Sequence, residues 1–189
     1  PFSSYAEKAR FELAFVQHKI NRIFEALNNY RKYIQDYPNG LYKARVKYGI
    51  AKCLVQLDKN SEAVKIFSAL LDCTKTYVND DAIIGDIHFE LARIANKENK
   101  YYKALFHYKT ALSLKSFLNK DKVLINIGDI YFSKKLYTDA HIYYLHALSK
   151  MDTEIDSART LTKLISALIM SGKTKKAQKR ILAFKEKYG

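Results

Sequence analysis

The side chains that could catalyse a reaction or bind a metal are few, and their spacing suits neither task. No histidine lies four residues from another histidine or a cysteine, which is the spacing by which one helix presents two metal ligands. No G-x-x-x-x-G-K or G-x-G-x-x-G phosphate-binding motif occurs either. We therefore expect no catalytic, cofactor-binding or metal-binding residues. The five histidines are His18, His88, His107, His141 and His146.

The two cysteines, Cys53 and Cys73, are too few for a disulfide framework. Both lie in stretches with helical periodicity, where a free cysteine behaves as a small apolar residue. We interpret them as packing residues.

The chain carries a large excess of positive charge, and this excess is unevenly distributed. The net charge of +14 divides into +8 for residues 1–120, −2 for residues 121–157 and +8 for residues 158–189. Such an excess favours acidic partners, although a Lys-rich solvated surface would look the same. No apolar run approaches the roughly 18 residues of a membrane span.

The last stretch, GKTKKAQKRILAFKEK, is the most basic, and two interpretations of it stay open. It could be a solvated terminal helix, or it could dock an acidic protein, a nucleic acid or an anionic lipid. Nucleic acid is the least favoured of these, because aromatic residues are not interleaved with the cations. The candidate binding residues of this basic helix are Lys175, Lys176, Lys179 and Arg180.

Residues 123–152 contain the clearest elements that could position such side chains. Two amphipathic patterns with apolar residues three and four apart are separated by a short polar break. This spacing predicts a helical hairpin. Gly128, Ala140 and Ala147 are small residues at the points where the two helices would approach each other.

The same pattern recurs along the whole chain. An alanine followed four residues later by an aromatic or apolar residue occurs five times, at steps of 37, 41, 36 and 37 residues. Twelve residues before each such alanine lies a small residue, except in the last copy, where Ile165 replaces it. We call these five residues the anchor alanines. They are Ala26, Ala63, Ala104, Ala140 and Ala177.

This register resembles the tetratricopeptide repeat, whose pattern the fourth copy matches most fully. The matching residues there are Ile127, Gly128, Tyr131, Ala140, Tyr144 and Ala147. The resemblance implies an all-α fold, a right-handed superhelix of about five helix-turn-helix repeats (an α-solenoid). The period of 36–37 residues exceeds the usual 34 or so.

The predicted layout is a single domain over residues 1–189, which we expect to be a fragment of a longer protein because it lacks an initial Met. The expected repeats are 4–38, 41–76, 81–117, 120–153 and 154–189. The expected helix pairs are 4–18 and 21–36, 41–56 and 60–72, 81–97 and 100–115, 120–134 and 137–150, and 154–170 and 173–187. The segment 73–80 is predicted to be a longer turn between repeats.

In this family the first helices of successive repeats line a concave groove, and the resemblance assigns groove positions here. The first three repeats alternate cations with aromatic side chains there, which would suit a peptide with an apolar anchor and acidic neighbours. The alternative is that the aromatic side chains are partly core. The assigned groove residues are Lys8, Phe11, Phe15, Arg45, Tyr48, Lys52, Phe89 and Arg93.

We therefore expect a non-catalytic scaffold or adaptor that binds an acidic protein or peptide partner. An electrostatic binder acting through the basic last helix, or a regulatory module of a larger enzyme, is the alternative. Residues 30–53, with their YP turn, also resemble repeats of bacterial cell-envelope assembly proteins, so cell envelope and cytoplasm both stay open as locations.

Overall fold

The computed structural model describes residues 4–72, 81–151 and 154–188, and their side chains except at 154–156, 184 and 186–188. These residues form ten α-helices and no strand, which confirms the all-α prediction. The helices are α1 (Ser4–Lys19), α2 (Ile23–Asp36), α3 (Lys43–Gln56), α4 (Asn60–Asp72), α5 (Asp81–Lys97), α6 (Tyr101–Ser113), α7 (Lys120–Ser133), α8 (Tyr137–Leu148), α9 (Glu154–Met170) and α10 (Thr174–Tyr188).

Each predicted helix is present, with both ends within two residues of the expectation. This agreement follows from the apolar period of 3.6 residues, which is a local property of the sequence. The predicted turn at 73–80 lies outside the described residues, and so does Cys73.

All five hairpins turn in the same way. Five residues before each anchor alanine, one residue has a positive φ between 59° and 74°. Its N–H bonds the carbonyl three residues back, and the next N–H bonds the carbonyl five residues back. This is the Schellman ending of a helix, which satisfies carbonyls that would otherwise lack donors. The turn residues are Asn21, Asp58, Asn99, Lys135 and Gly172.

The small residues lie at helix contacts, as the periodicity predicts. Ala140 and Ala147 are fully buried. A Cβ built at Gly128 would lie 2.5 Å from Cε1 of Tyr144, so the ring occupies the space that any side chain at Gly128 would need. Small residues here let α7 and α8 approach closely.

The chain divides into two compact units, Pro1–Ile87 and His88–Gly189, which are described separately below. The core of the first unit includes Tyr30, Tyr33, Leu54 and Phe67, all at most 1% exposed. That the whole chain is one domain stays a prediction.

The second unit has two core clusters. One includes Tyr108 of α6 and Ile127 of α7. The other includes Tyr144 of α8 and Leu164 of α9. Each cluster joins the second helix of one hairpin to the first helix of the next, as stacked repeats do.

Cys53 is a fully buried free thiol on α3. Burial raises the pKa of this thiol to about 11, because the charged thiolate would be desolvated. Its interpretation as a small packing residue agrees with this environment. Among the described residues, no helix combines the length and apolar character needed to cross a membrane.

Candidate functional site

In the first unit, Phe11 belongs more to the core than to the surface. It is 7% exposed, and its ring stacks on Tyr42 with centroids 4.7 Å apart and planes 5° apart. Phe15 is also an aromatic neighbour of Phe11, at 6.0 Å between centroids. Phe11 therefore supports the exposed aromatic residue beside it. The sequence reasoning missed Tyr42, which precedes α3 and lies outside the assigned groove positions.

Among the aromatic residues at the assigned groove positions of this unit, Phe15 is the most exposed to solvent. It is 40% exposed, and Lys19 Nζ lies 5.3 Å from its ring centroid. A ring held by Phe11 on one side and accompanied by a cation offers contact area at low entropic cost.

His18 lies one turn after Phe15, and the charges of two lysines act on it. It hydrogen-bonds Gln56, with 3.0 Å between Nε2 and Oε1, and its ring lies edge-on to Tyr30. Burial lowers the pKa of His18, and the charges of Lys52 and Lys19 lower it further, against the effect of the Gln56 bond. The two lysines place positive charge on the surface beside His18.

The cationic groove positions of this unit differ in exposure. Lys8 and Arg45 are exposed, whereas Lys52 is half-buried. Tyr48 is half-buried too; its hydroxyl donates to Asp86 Oδ2 at 3.1 Å, and its ring lies 6.1 Å from that of Phe67. Tyr48 is thus anchored within the unit.

In the second unit, the two groove candidates have internal partners. Phe89 is half-buried, with its ring 6.0 Å from Tyr108 and 6.3 Å from Phe117. Arg93 is exposed, but its Nη1 donates to Glu90 Oε2 at 2.8 Å. Glu90 is only 2% exposed, so the guanidinium neutralises a carboxylate that burial would otherwise penalise.

Another ion pair of this unit was not anticipated. Lys163 Nζ on α9 lies 2.6 Å from Asp129 Oδ2 on α7, and the hydroxyl of Tyr144 donates to Asp129 Oδ1 at 2.7 Å. The one available signal was an aspartate directly after the contact residue Gly128. Lys163 lies 34 residues away in the sequence, so the spacing of nearby residues could not predict the pair.

The basic helix borders a cleft. Lys175, Lys176, Lys179 and Arg180 are all exposed. The last three of them line a space of about 520 Å³ between α8, α9 and α10. The remaining lining residues are His141, Leu145, Leu164, Leu168 and Ala183.

His141 adds a neutral polar group to this cleft. Burial lowers the pKa of His141, with a further lowering by Lys173 and Lys176. Its Nε2 lies 3.4 Å from Lys173 Nζ. Because the imidazole is neutral, the positive charge of the cleft comes from its lysines and from Arg180.

Two histidines meet across the third hairpin. His88 Nδ1 and His107 Nδ1 are 2.9 Å apart, which spacing within one helix could not reveal. Burial is the largest cause that lowers the pKa of His107, and together with the charges of His88 and Lys103 it brings this pKa to about 4. In the described part of the chain, no three His, Cys, Asp or Glu residues lie close enough together to hold a metal ion.

The comparisons with known proteins agree with the repeat register. Residues 121–149 match the model of the tetratricopeptide repeat. This segment lies within the hairpin that shows the pattern most clearly. No curated protein matches the chain in sequence.

Several solved structures share the fold at low sequence identity. MamA protein is 14% identical, with a TM-score of 0.68 over 93% of this chain and 87% of MamA. The apo form of the quorum sensor NprR from B. thuringiensis is 20% identical, with a TM-score of 0.77 over 95% of this chain and 53% of NprR. YrrB, described as a tetratricopeptide-repeat protein with an unusual peptide-binding site, is 16% identical, with a TM-score of 0.63 over 90% of this chain and 80% of YrrB. The all-α helical-repeat fold is thereby confirmed.

Proposed function

We propose that this chain, which carries a tetratricopeptide repeat and folds as such repeats do, is a non-catalytic scaffold that binds a protein or peptide partner. The bound segment has an apolar anchor and acidic neighbours. Its main contact surface is the face that α1 and α3 form in the first unit. A role in bacterial cell-envelope assembly is part of this proposal and rests on the likeness of residues 30–53 alone.

The observation that carries the proposal is the position of Phe15. Its half-exposed ring is backed by buried Phe11 and lies one turn from His18, where the charges of Lys52 and Lys19 act. Aromatic side chains are enriched in protein interfaces, where they supply a large contact area. An apolar side chain would pack on Phe15, and carboxylates beside it would meet the cations.

The experiment uses a library of fluorescent peptides in which one Leu or Phe is flanked by Asp or Glu, and measures binding by anisotropy. Phe15→Ala should raise the Kd of the selected peptides about tenfold or more, because it removes the central aromatic contact. Lys52→Glu should also weaken binding, by reversing the local charge.

The matched control is Leu41→Ala, which truncates an apolar side chain of the same unit that is 85% exposed and outside the proposed surface. Its Kd should equal that of the unaltered chain. If Phe15→Ala and Leu41→Ala bind equally well, with both folds intact by circular dichroism, the proposed surface is wrong.

A second candidate function is supported by the cleft beside the basic helix. Three cations around an apolar floor suit a partner that combines an anionic group with an apolar one. Lys179→Glu with Arg180→Glu should then abolish binding while Phe15→Ala leaves it unchanged. Salt should weaken this electrostatic mode strongly.

A further inference from the structure

The third hairpin holds two imidazole rings opposite each other, one from each of its helices. Nδ1 of His88 on α5 lies 2.9 Å from Nδ1 of His107 on α6, and the ring centroids are 5.2 Å apart. Each Nδ1 is therefore aimed at the other, with one ring donating its N–H and the other accepting it. Spacing within one helix does not predict this pair, because its members lie 19 residues apart on two helices.

The repeat fold does not require histidines at these two positions. They lie sixteen residues before and three residues after the anchor alanine Ala104, and the fourth repeat has Leu124 and Tyr143 there. Leu124 is 2% exposed and Tyr143 is half-buried, so an aliphatic and an aromatic side chain fill the same place in that hairpin. Of the five repeats, the third alone has histidine at either position.

The surroundings of the pair keep both rings neutral. His107 is 9% exposed and His88 is half-buried. Burial is the largest cause that lowers the pKa of each ring, and the charges of His88 and Lys103 lower the pKa of His107 further. In the described part of the chain, no third His, Cys, Asp or Glu completes a metal-binding group with the two rings. The pair thus offers two neutral nitrogen ligands without a carboxylate.

Such a ligand set favours a metal ion of low charge and low coordination number. Zn²⁺ takes four ligands, and it would bring two positive charges into a partly buried place that has no carboxylate to compensate them. Cu⁺ has a filled d shell and accepts two ligands in a line. It carries one charge, which is as much as the proton that either ring could take up. Imidazole nitrogen is also a ligand that suits copper.

The distance between the rings needs only a small adjustment for such an ion. A metal–imidazole bond is about 2 Å long, so an ion in line between the two nitrogens separates them by about 4 Å. The separation is 2.9 Å, and rotation of the two side chains must therefore add about 1 Å. The ring that donates through Nδ1 moves its proton to Nε2. Both Nδ1 lone pairs then face the ion, and the pair loses no proton.

We propose that His88 and His107 form a two-ligand site for Cu⁺, bound between their two Nδ1 atoms. Coordination replaces one N–H···N hydrogen bond with two metal–nitrogen bonds, and it ties α5 to α6. Because the two rings face each other only in the folded hairpin, the ion should raise the thermal midpoint of unfolding. The site lies in the second unit and does not depend on peptide binding around Phe15.

The test is an anaerobic titration with Cu⁺ in competition with bicinchoninate, a chelator whose copper complex is coloured. It uses the Cys73→Ser chain, because a thiol is a strong competing ligand for this ion. One equivalent should bind, X-ray absorption should show nitrogen and no sulfur ligands, and the NMR signals of both Nδ1 atoms should shift. A chain that binds no Cu⁺, or that binds it without a shift at these two rings, would overturn the proposal.

The variant that removes the site introduces the residues of the fourth repeat, His88→Leu with His107→Tyr. It should bind Cu⁺ at least about a hundredfold more weakly and keep its fold by circular dichroism. His88→Gln is a second variant, whose amide can still hydrogen-bond His107. It should lose the site as well, because a linear site needs both imidazoles. If folded forms of these variants bind Cu⁺ as tightly as the parent chain, the histidine pair is not the site.

His146→Gln is the matched control, because it removes an exposed histidine of the same unit. It should bind one equivalent with unchanged affinity, and an equal loss in this variant would contradict the proposal. A parallel titration with Zn²⁺ separates the two kinds of coordination. Zn²⁺ should bind more weakly than Cu⁺ by about tenfold or more. Tighter binding of Zn²⁺ that depends on the histidine pair would show a four-coordinate site and overturn the two-ligand assignment.

Discussion

The ring of Tyr144 occupies the space that a Cβ at Gly128 would need, with 2.5 Å between that Cβ and Cε1. The hydroxyl of the same ring donates to Asp129, the next residue of α7. Apolar and polar contacts thus hold α8 on α7 through one side chain. The first unit contains a similar contact, in which a Cβ at Gly49 would lie 2.5 Å from Cζ of Tyr30.

Gly128→Ala should destabilise the chain by roughly 1–3 kcal/mol, because the added methyl overpacks a rigid ring. Urea unfolding monitored by circular dichroism measures the change. Ala140→Leu tests the same helix contact from the α8 side and should cost a similar amount. If both variants unfold at the same urea concentration as the unaltered chain, the helix contact accommodates the added atoms without loss of stability, and the prediction is wrong.

Tyr108 and Tyr144 occupy equivalent positions, yet only one has a hydroxyl partner. The buried hydroxyl of Tyr108 has no hydrogen-bond partner among the described residues, whereas that of Tyr144 has Asp129. Tyr144→Phe should therefore cost about 1–2 kcal/mol, and Tyr108→Phe should be neutral or slightly stabilising. Equal losses in urea unfolding would contradict this difference.

Lys135 is the turn residue least suited to its backbone. Its φ of 60° is in the left-handed region, where a side chain costs roughly 1–2 kcal/mol relative to glycine. Lys135→Gly should raise the free energy of unfolding by about 0.5–1 kcal/mol, after the greater freedom of glycine in the unfolded chain is subtracted.

Gly172 provides the opposite test of the same turn. Its φ is 74° and no atom lies within 4 Å of a Cβ built there, so Gly172→Ala would change the backbone preference without a steric clash. It should destabilise the chain by about 0.5–1 kcal/mol. Changes of the same sign for the two variants would exclude the Schellman turn as their cause.

The His88–His107 pair should make stability depend on pH. The pKa of His107 is lowered from 6.5 to about 4, so the unfolded chain binds the proton more readily. This contribution is complete above pH 6.5 and is lost as the pH falls through 4, by up to roughly 3 kcal/mol. His107→Leu should flatten the stability profile between these values.

The control for this profile is His146→Gln, because His146 is an exposed histidine of the same unit. It should keep the slope of the unaltered chain. If His107→Leu and the unaltered chain lose stability in parallel from pH 6.5 to 4, the histidine pair does not contribute to the acid response.

The sequence alone determined the helices and their register. Helix ends, the five hairpins and the contact points at Gly128, Ala140 and Ala147 follow from apolar spacing and small residues, which act within a few turns of one hairpin. These features depend on neighbours close in the chain, so a single sequence is enough to place them. The tetratricopeptide register therefore emerged without any tertiary information.

Only the tertiary structure decided which side chains are free to act. Phe11 is buried while Phe15 reaches solvent, although both occupy assigned groove positions. Arg93 is paired with buried Glu90. Such outcomes depend on how each helix is rotated against its neighbour, and the residues that meet can be 34 positions apart, as Asp129 and Lys163 are. Leu13 and Ile127 occupy equivalent positions of two repeats, yet Leu13 is 51% exposed and Ile127 is fully buried.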